Sequence, residues 1–235
     1  MSNHVLRIFT ILGCTSLFVT CEQDQPVAPE LNFEESLQQQ LILAEPGDVI
    51  LIPEGTHLIT RSLSLNVPGI TIRGEGINSS ILSFKNQIQG AEGFLVNADN
   101  FVIEDIAIED TVGDALKINE SNNVTIRNVR TEWTGGALTT NGAYGIYPVQ
   151  SSNILIEGAV AIGASDAGIY VGQSTRIIVR NSVAEYNVAG IEIENSTFAD
   201  VYDNVATNNT GGILVFDLPN SVSYTHLTLP TILLV

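Results

Sequence analysis

The sequence predicts an all-β fold, a right-handed parallel β-helix (solenoid) with a short N-terminal capping helix. Three observations point there. Short apolar strands recur at a period of about 22 residues. Each coil carries Gly, Asn or Asp at one fixed place, where the chain must bend sharply. Gly and β-branched residues recur too densely for long helices within the repeats.

The first strand of each coil starts at Leu63, Phe94, Leu116, Ile146, Ile169, Ile191 and Ile213. The spacings are 31, 22, 30, 23, 22 and 22 residues, so two coils carry insertions. Two residues on, an apolar residue follows each time, with Pro148 the odd one. Proline cannot donate to a ladder, so a distorted coil is expected at Pro148. Second strands are expected at 70–72, 101–103, 124–126, 154–156, 177–179 and 200–202. Just beyond them lies the bend column Gly74, Asp105, Asn128, Gly158, Asn181 and Asp203. These residue types tolerate a left-handed backbone, where a Cβ ordinarily meets a carbonyl oxygen. Another Gly precedes most first strands, at Gly93, Gly145, Gly168, Gly190 and Gly212. A leucine-rich repeat has a similar period, but its Leu-x-x-Leu-x-Leu pattern is missing.

A solenoid needs caps. Asn32 reads as the N-cap of an amphipathic helix with Phe33, Leu37 and Leu41 on one stripe. Glu45, Pro46, Gly47 and Asp48 end it, and residues 49–52 begin the sheet. Ahead of the cap, residues 1–21 read as an export signal: Arg7, an apolar run over 8–19, then Cys21. That run is too short to span a bilayer as a helix. The segment resembles a bacterial lipoprotein signal, which makes Cys21 the expected lipidated residue and 22–31 a polar tether. The protein is then expected at the outer membrane or cell surface, touching a membrane only through its lipid. With simple cleavage it is periplasmic or secreted. The β-helix domain is expected over 32–220. Residues 221–235 resemble the translation of a sequencing adapter, and no C-terminal cap is visible, so a C-terminally truncated domain is expected.

Composition narrows the function. The 235 residues are 44% apolar and 15% charged, enough for one well-packed domain. A formal charge of −17 argues against nucleic acid. It also disfavours an acidic glycan unless a local basic residue or a bound cation bridges the two. Both cysteines, Cys14 and Cys21, lie in the leader, so the domain holds no disulfide and no thiolate metal site. Its histidines, His57 and the tail's His226, leave little room for histidine base chemistry.

From Pro46-Gly47-Asp48 to Pro219 the chain resembles the pectate-lyase-like superfamily of right-handed β-helices. It is similar to exported bacterial repeat proteins assigned to carbohydrate binding and sugar hydrolysis. The residues that carry the resemblance are 46–50, 67–74 and 142–195. It implies a polysaccharide partner and, in the superfamily's enzymes, lyase, hydrolase or epimerase activity on acidic polymers. The superfamily's catalytic signatures are missing: Tyr147-Pro148-Val149-Gln150 stands where the mannuronan epimerases have Asp-Pro-His-Glu.

Chemistry is therefore sought along the outward position of the first strands: Ser64, Leu95, Lys117, Tyr147, Tyr170, Glu192 and Leu214. With coils about 4.8 Å apart, Lys117 to Glu192 spans roughly 14 Å, room for a few sugar units. Lys117, Tyr147 and Tyr170 are the candidate catalytic residues, with Lys117 neutralising a uronate, a tyrosine or lysine as base and a tyrosine as acid. Trp133 (in the insertion over 131–143), Tyr144 and Glu192 are candidate substrate contacts. Asp110, Asp114, Glu132, Asp166 and Glu194 are candidates to share a bridging Ca2+, although no motif demands a cofactor. The leading expectation is a monomeric polysaccharide-binding or -processing protein, as a polyuronate lyase, C5-epimerase or glycoside hydrolase. The alternative is a non-catalytic surface scaffold.

Overall fold

A computed structural model describes residues 31–217. The expected signal, Cys21, nearly all of the tether and the adapter-like tail lie outside these residues. Seven strands stack in parallel as one sheet: Arg61–Leu65, Gln89–Val96, Leu116–Asn119, Tyr144–Val149, Ala167–Gly172, Ala189–Glu194 and Gly211–Phe216. Its register runs Leu63, Phe94, Leu116, Ile146, Ile169, Ile191, Ile213, the column the spacing aligns. The first six of these side chains are buried. Each contributes about 1.5–3 kcal/mol by leaving water.

The second strands run Val49–Leu51, Thr71–Arg73, Val102–Glu109, Asn122–Glu132, Ser152–Glu157, Thr175–Arg180 and Thr197–Tyr202, within a twelve-stranded parallel sheet. In the last of them the reading over 200–202 is corrected by one residue. Ala199 and Val201 face inward, in register with Ile177 and Val179. The small Ala199 had not read as core.

The same sheet holds a third strand per coil that the sequence did not reveal. Gly55–Leu58, Ser80–Ser83, Val160–Ile162, Val183–Glu185 and Val205–Thr207 are short. In two coils the second strand simply runs on around the bend. The inward residues shrink along this column, from Leu82 and Ile108 through Thr131 to Ala161, Ala184 and Ala206. Alanine gives no apolar signal against a short strand, which hid it.

Five members of the bend column have a left-handed backbone: Asp105, Asn128, Gly158, Asn181 and Asp203. Gly74 does not. It is glycine because a Cβ would run into the Asp105 carbonyl. A second left-handed column, Asn100, Asn123, Asn153, Arg176 and Phe198, joins the two sheets. Beside it a serine ladder ties the coils: the Ser121, Ser151 and Ser174 amides donate to the hydroxyls of Ser151, Ser174 and Ser196 at 3.0–3.1 Å. Those amides are buried and would otherwise be unsatisfied.

Pro148 does not distort its coil. Register holds on both sides, through Pro148 to Ile118 and from Ile146 and Val149 to Ile169 and Gly172. The strand loses a donor without gaining a residue, so no bulge forms.

The cap forms as expected, over Phe33–Leu43 with Asn32 and Glu35 closing a capping box. Leu37 and Leu41 enter the core. Glu34, unremarked in the sequence, accepts from the Thr60 hydroxyl at 2.9 Å and the Arg61 amide at 3.2 Å. That bond clamps the helix to the first coil. His57 stacks on Phe33 at 3.8 Å and is part of the same cap. Among the described residues no helix is long and apolar enough to cross a membrane.

Candidate functional site

The outward face of the seven-stranded sheet gathers the tyrosines. Lys117 sits beside Tyr147 in register, and Tyr170 beside Glu192. Strict alternation would turn Tyr144 away from Tyr147. Gly145 and Ile146 are instead buried in succession, so the alternation skips a beat and Tyr144 joins the same face. Gly145 permits this because a Cβ would sit 2.5 Å from the Gly168 carbonyl and the Thr131 hydroxyl. The glycine column that precedes the first strands is thus part of how the site is built.

The three rings form one cluster. Tyr144 stacks on Tyr170 at 4.5 Å and 29°, and meets Tyr147 at 4.7 Å. Tyr147 meets Tyr170 edge to face at 5.1 Å. The Lys117 ammonium lies 5.1 Å from the Tyr147 ring centroid. It is also held by Glu92 at 3.4 Å and Asp114 at 3.9 Å. The Tyr170 hydroxyl donates to Glu194 at 2.6 Å.

Electrostatics follow from this crowding. Burial pushes all three tyrosines above their ordinary 10.0. The hydrogen bond to Glu194 adds to this at Tyr170, and the Asp166 carboxylate at Tyr144. At Tyr147 the Lys117 charge works in the other direction. The phenols are therefore donors, not bases, near neutral pH. Burial also raises Glu192, helped by the charges of Asp166 and Glu194. It raises Asp114 as well, against the pull of Lys117.

Lys117, Tyr144, Tyr147, Tyr170 and Glu192 thus come together as the sequence places them. Trp133 does not. It is buried in the core, its indole N–H donating to the Thr111 carbonyl at 2.8 Å. The five carboxylates proposed for calcium do not converge either. Asp110 accepts from Thr134, and Glu132 pairs with Arg130. Among the described residues no group of three or more His, Cys, Asp or Glu is placed to hold a metal ion. The sequence reading missed Glu92, which stands 25 residues from the lysine it pairs.

The right-handed beta helix region model matches residues 69–225. None of the curated proteins matches the chain. Among solved structures, the Agl-KA catalytic domain is similar at 15% identity, covering 83% of this chain and 42% of that one, with a TM-score of 0.50. An alginate lyase from Paenibacillus sp. str. FPU-7 is 18% identical over 72% of each chain, TM-score 0.46. The A-module of a mannuronan C-5 epimerase from Azotobacter vinelandii is 11% identical over 77% of this chain and 74% of that one, TM-score 0.43. At these identities the likeness is one of fold.

Proposed function

The chain belongs to the right-handed beta helix family, and on that premise we propose that it binds and processes a polysaccharide on the outward face of its seven-stranded sheet. The observation that carries this reading is the cluster of Tyr144, Tyr147 and Tyr170, with ring centroids 4.5–5.1 Å apart. Tyr170 is buried behind the half-buried Tyr144 and Tyr147, whose open surfaces suit the C–H faces of sugar rings, and the carboxylates beside them suit hydroxyls.

The polymer is uncharged in this reading. Lys117 is already held by two carboxylates, and Asp166 and Glu194 add negative charge alongside. A polyuronate would bring more of the same sign. The reaction best supported is hydrolysis. Burial pushes Glu192 toward its protonated form, the direction that suits an acid giving a proton to a leaving oxygen, while a neighbouring carboxylate activates water or attacks. A polyuronate lyase or C5-epimerase is the second reading, favoured by Lys117 beside Tyr147. It lacks a base, because the tyrosines are pushed up and the lysine is ion-paired. The proposal places the protein outside the cytoplasm as a monomer, anchored through lipid on Cys21.

The test is a panel of uncharged polymers and polyuronates, read for gel retardation, new reducing ends, an ultraviolet-absorbing unsaturated product and altered C5 proton signals. An uncharged polymer should retard the protein and gain reducing ends. Glu192→Gln should abolish cleavage and keep retardation. An unsaturated product or C5 change from a polyuronate would install the second reading. Neither binding nor product on any polymer would leave the scaffold.

A further inference from the structure

We propose that a second site, for one uncharged sugar ring, lies in a cleft beside this face with Tyr186 as its platform. The cleft, about 260 Å³, opens between residues 137–139 of the long insertion and the turns at 164–165 and 186–188. Tyr186 has a left-handed backbone, with φ of 59°. Asp110, Gly163 and Asn208, at the equivalent place in three other coils, are left-handed too, while Trp133 in a fourth is not. Those residue types suit the conformation, and a bulky aromatic does not. Burial offers no compensation, since Tyr186 is 51% exposed. Its hydroxyl has no hydrogen-bond partner among the described residues. Strain held by an exposed side chain that serves neither turn nor core points to a ligand.

The walls say which kind. Leu138 and Val188 are exposed and apolar, while Thr139, Asn208 and Thr210 offer polar groups. No residue lining the cleft is charged, on a chain of formal charge −17. The occupant needs an apolar face, several hydroxyls and no charge, which describes a pyranose ring. The cleft adjoins the strands of the tyrosine face: Val188, in its wall, donates to the Asp166 carbonyl at 2.9 Å, and the two residues immediately precede the strands carrying Glu192 and Tyr170. That the ring belongs to a glycan rests on the reading of that face.

Affinity electrophoresis of the full chain through gels of galactomannan, β-1,3-glucan and soluble starch separates the two. Tyr186→Asn should cut retardation about threefold or more in whichever gel holds the wild type, the loss expected for one stacked ring. It should also raise Tm by about 2–4 °C, because Asn relieves the backbone. Leu138→Ala should weaken retardation at unchanged Tm. Undiminished retardation of Tyr186→Asn, or a lower Tm, would overturn the site. If Tyr147→Ala with Tyr170→Ala abolishes retardation while Tyr186→Asn retains it, the cleft falls and the face stands. If the reverse holds, the cleft stands and the face falls. If no gel retards the wild type, both fall.

Discussion

The two outward faces of this solenoid treat charge in opposite ways. On the second-strand face, Arg73, Glu104, Arg127, Glu157 and Arg180 alternate in sign from coil to coil. Successive pairs meet at 2.6, 3.1, 3.5 and 2.8 Å, and Arg180 ends on the Tyr202 hydroxyl at 3.1 Å. Each charge of this ladder is answered by a neighbour. On the tyrosine face one lysine meets two carboxylates, and Glu192 faces two more. The ladder's charges are paired within the protein, which suits a structural surface. The tyrosine face keeps aromatic area and unbalanced charge, which suits a surface that meets something else.

Breaking the tyrosine face should have the largest effect. Tyr147→Ala with Tyr170→Ala should lower glycan retardation roughly tenfold to a hundredfold, while Arg127→Gln on the other face should leave it unchanged. Equal losses from both would erase the contrast. Next comes the floor of the site. Gly145→Ala should cost about 1–3 kcal/mol in urea unfolding, since the added Cβ would lie 2.5 Å from both the Gly168 carbonyl and the buried Thr131 hydroxyl. A neutral result would mean that the glycine does not set the position of Tyr144. Glu104→Gln should cost about 1 kcal/mol and matter less in high salt, because Arg73 and Arg127 are both partly solvated.

The smallest effect is one of pH. Burial raises Glu192, so the folded state binds its proton more tightly than the unfolded chain does. Its contribution is fully present below the ordinary 4.5 and is lost as pH rises through the folded value. Glu192→Gln should therefore unfold at higher urea than the wild type near neutral pH, with the gap closing as pH falls below 4.5. A gap that widens in acid would reverse the assignment.

Much of this was readable in the sequence, for particular reasons. The first-strand column is legible because Leu63 through Ile213 are large, apolar and evenly spaced. The same alignment holds the Arg–Glu ladder, one place before the bend column. It shows only when residues are compared across coils rather than along the chain. The third strand stays hidden because Ala161, Ala184 and Ala206 carry too little apolar signal. Trp133 misleads because a lone tryptophan in an insertion looks like a contact residue, whereas here its N–H is satisfied inside the core. Tyr144 was placed near the site, but its route there is tertiary, through two consecutive inward residues that strand alternation does not anticipate.

Hydroxyl-radical footprinting of the tyrosines, with and without the uncharged polymer that retards the protein, tests the central claim most directly. Tyr144 and Tyr147 lie on the proposed face, and Tyr202 ends the Arg–Glu ladder on the other. The account predicts that bound polymer lowers oxidation of Tyr144 and Tyr147 and leaves Tyr202 unchanged. Protection of Tyr202 with Tyr144 and Tyr147 still reactive would place the glycan on the wrong face and contradict it.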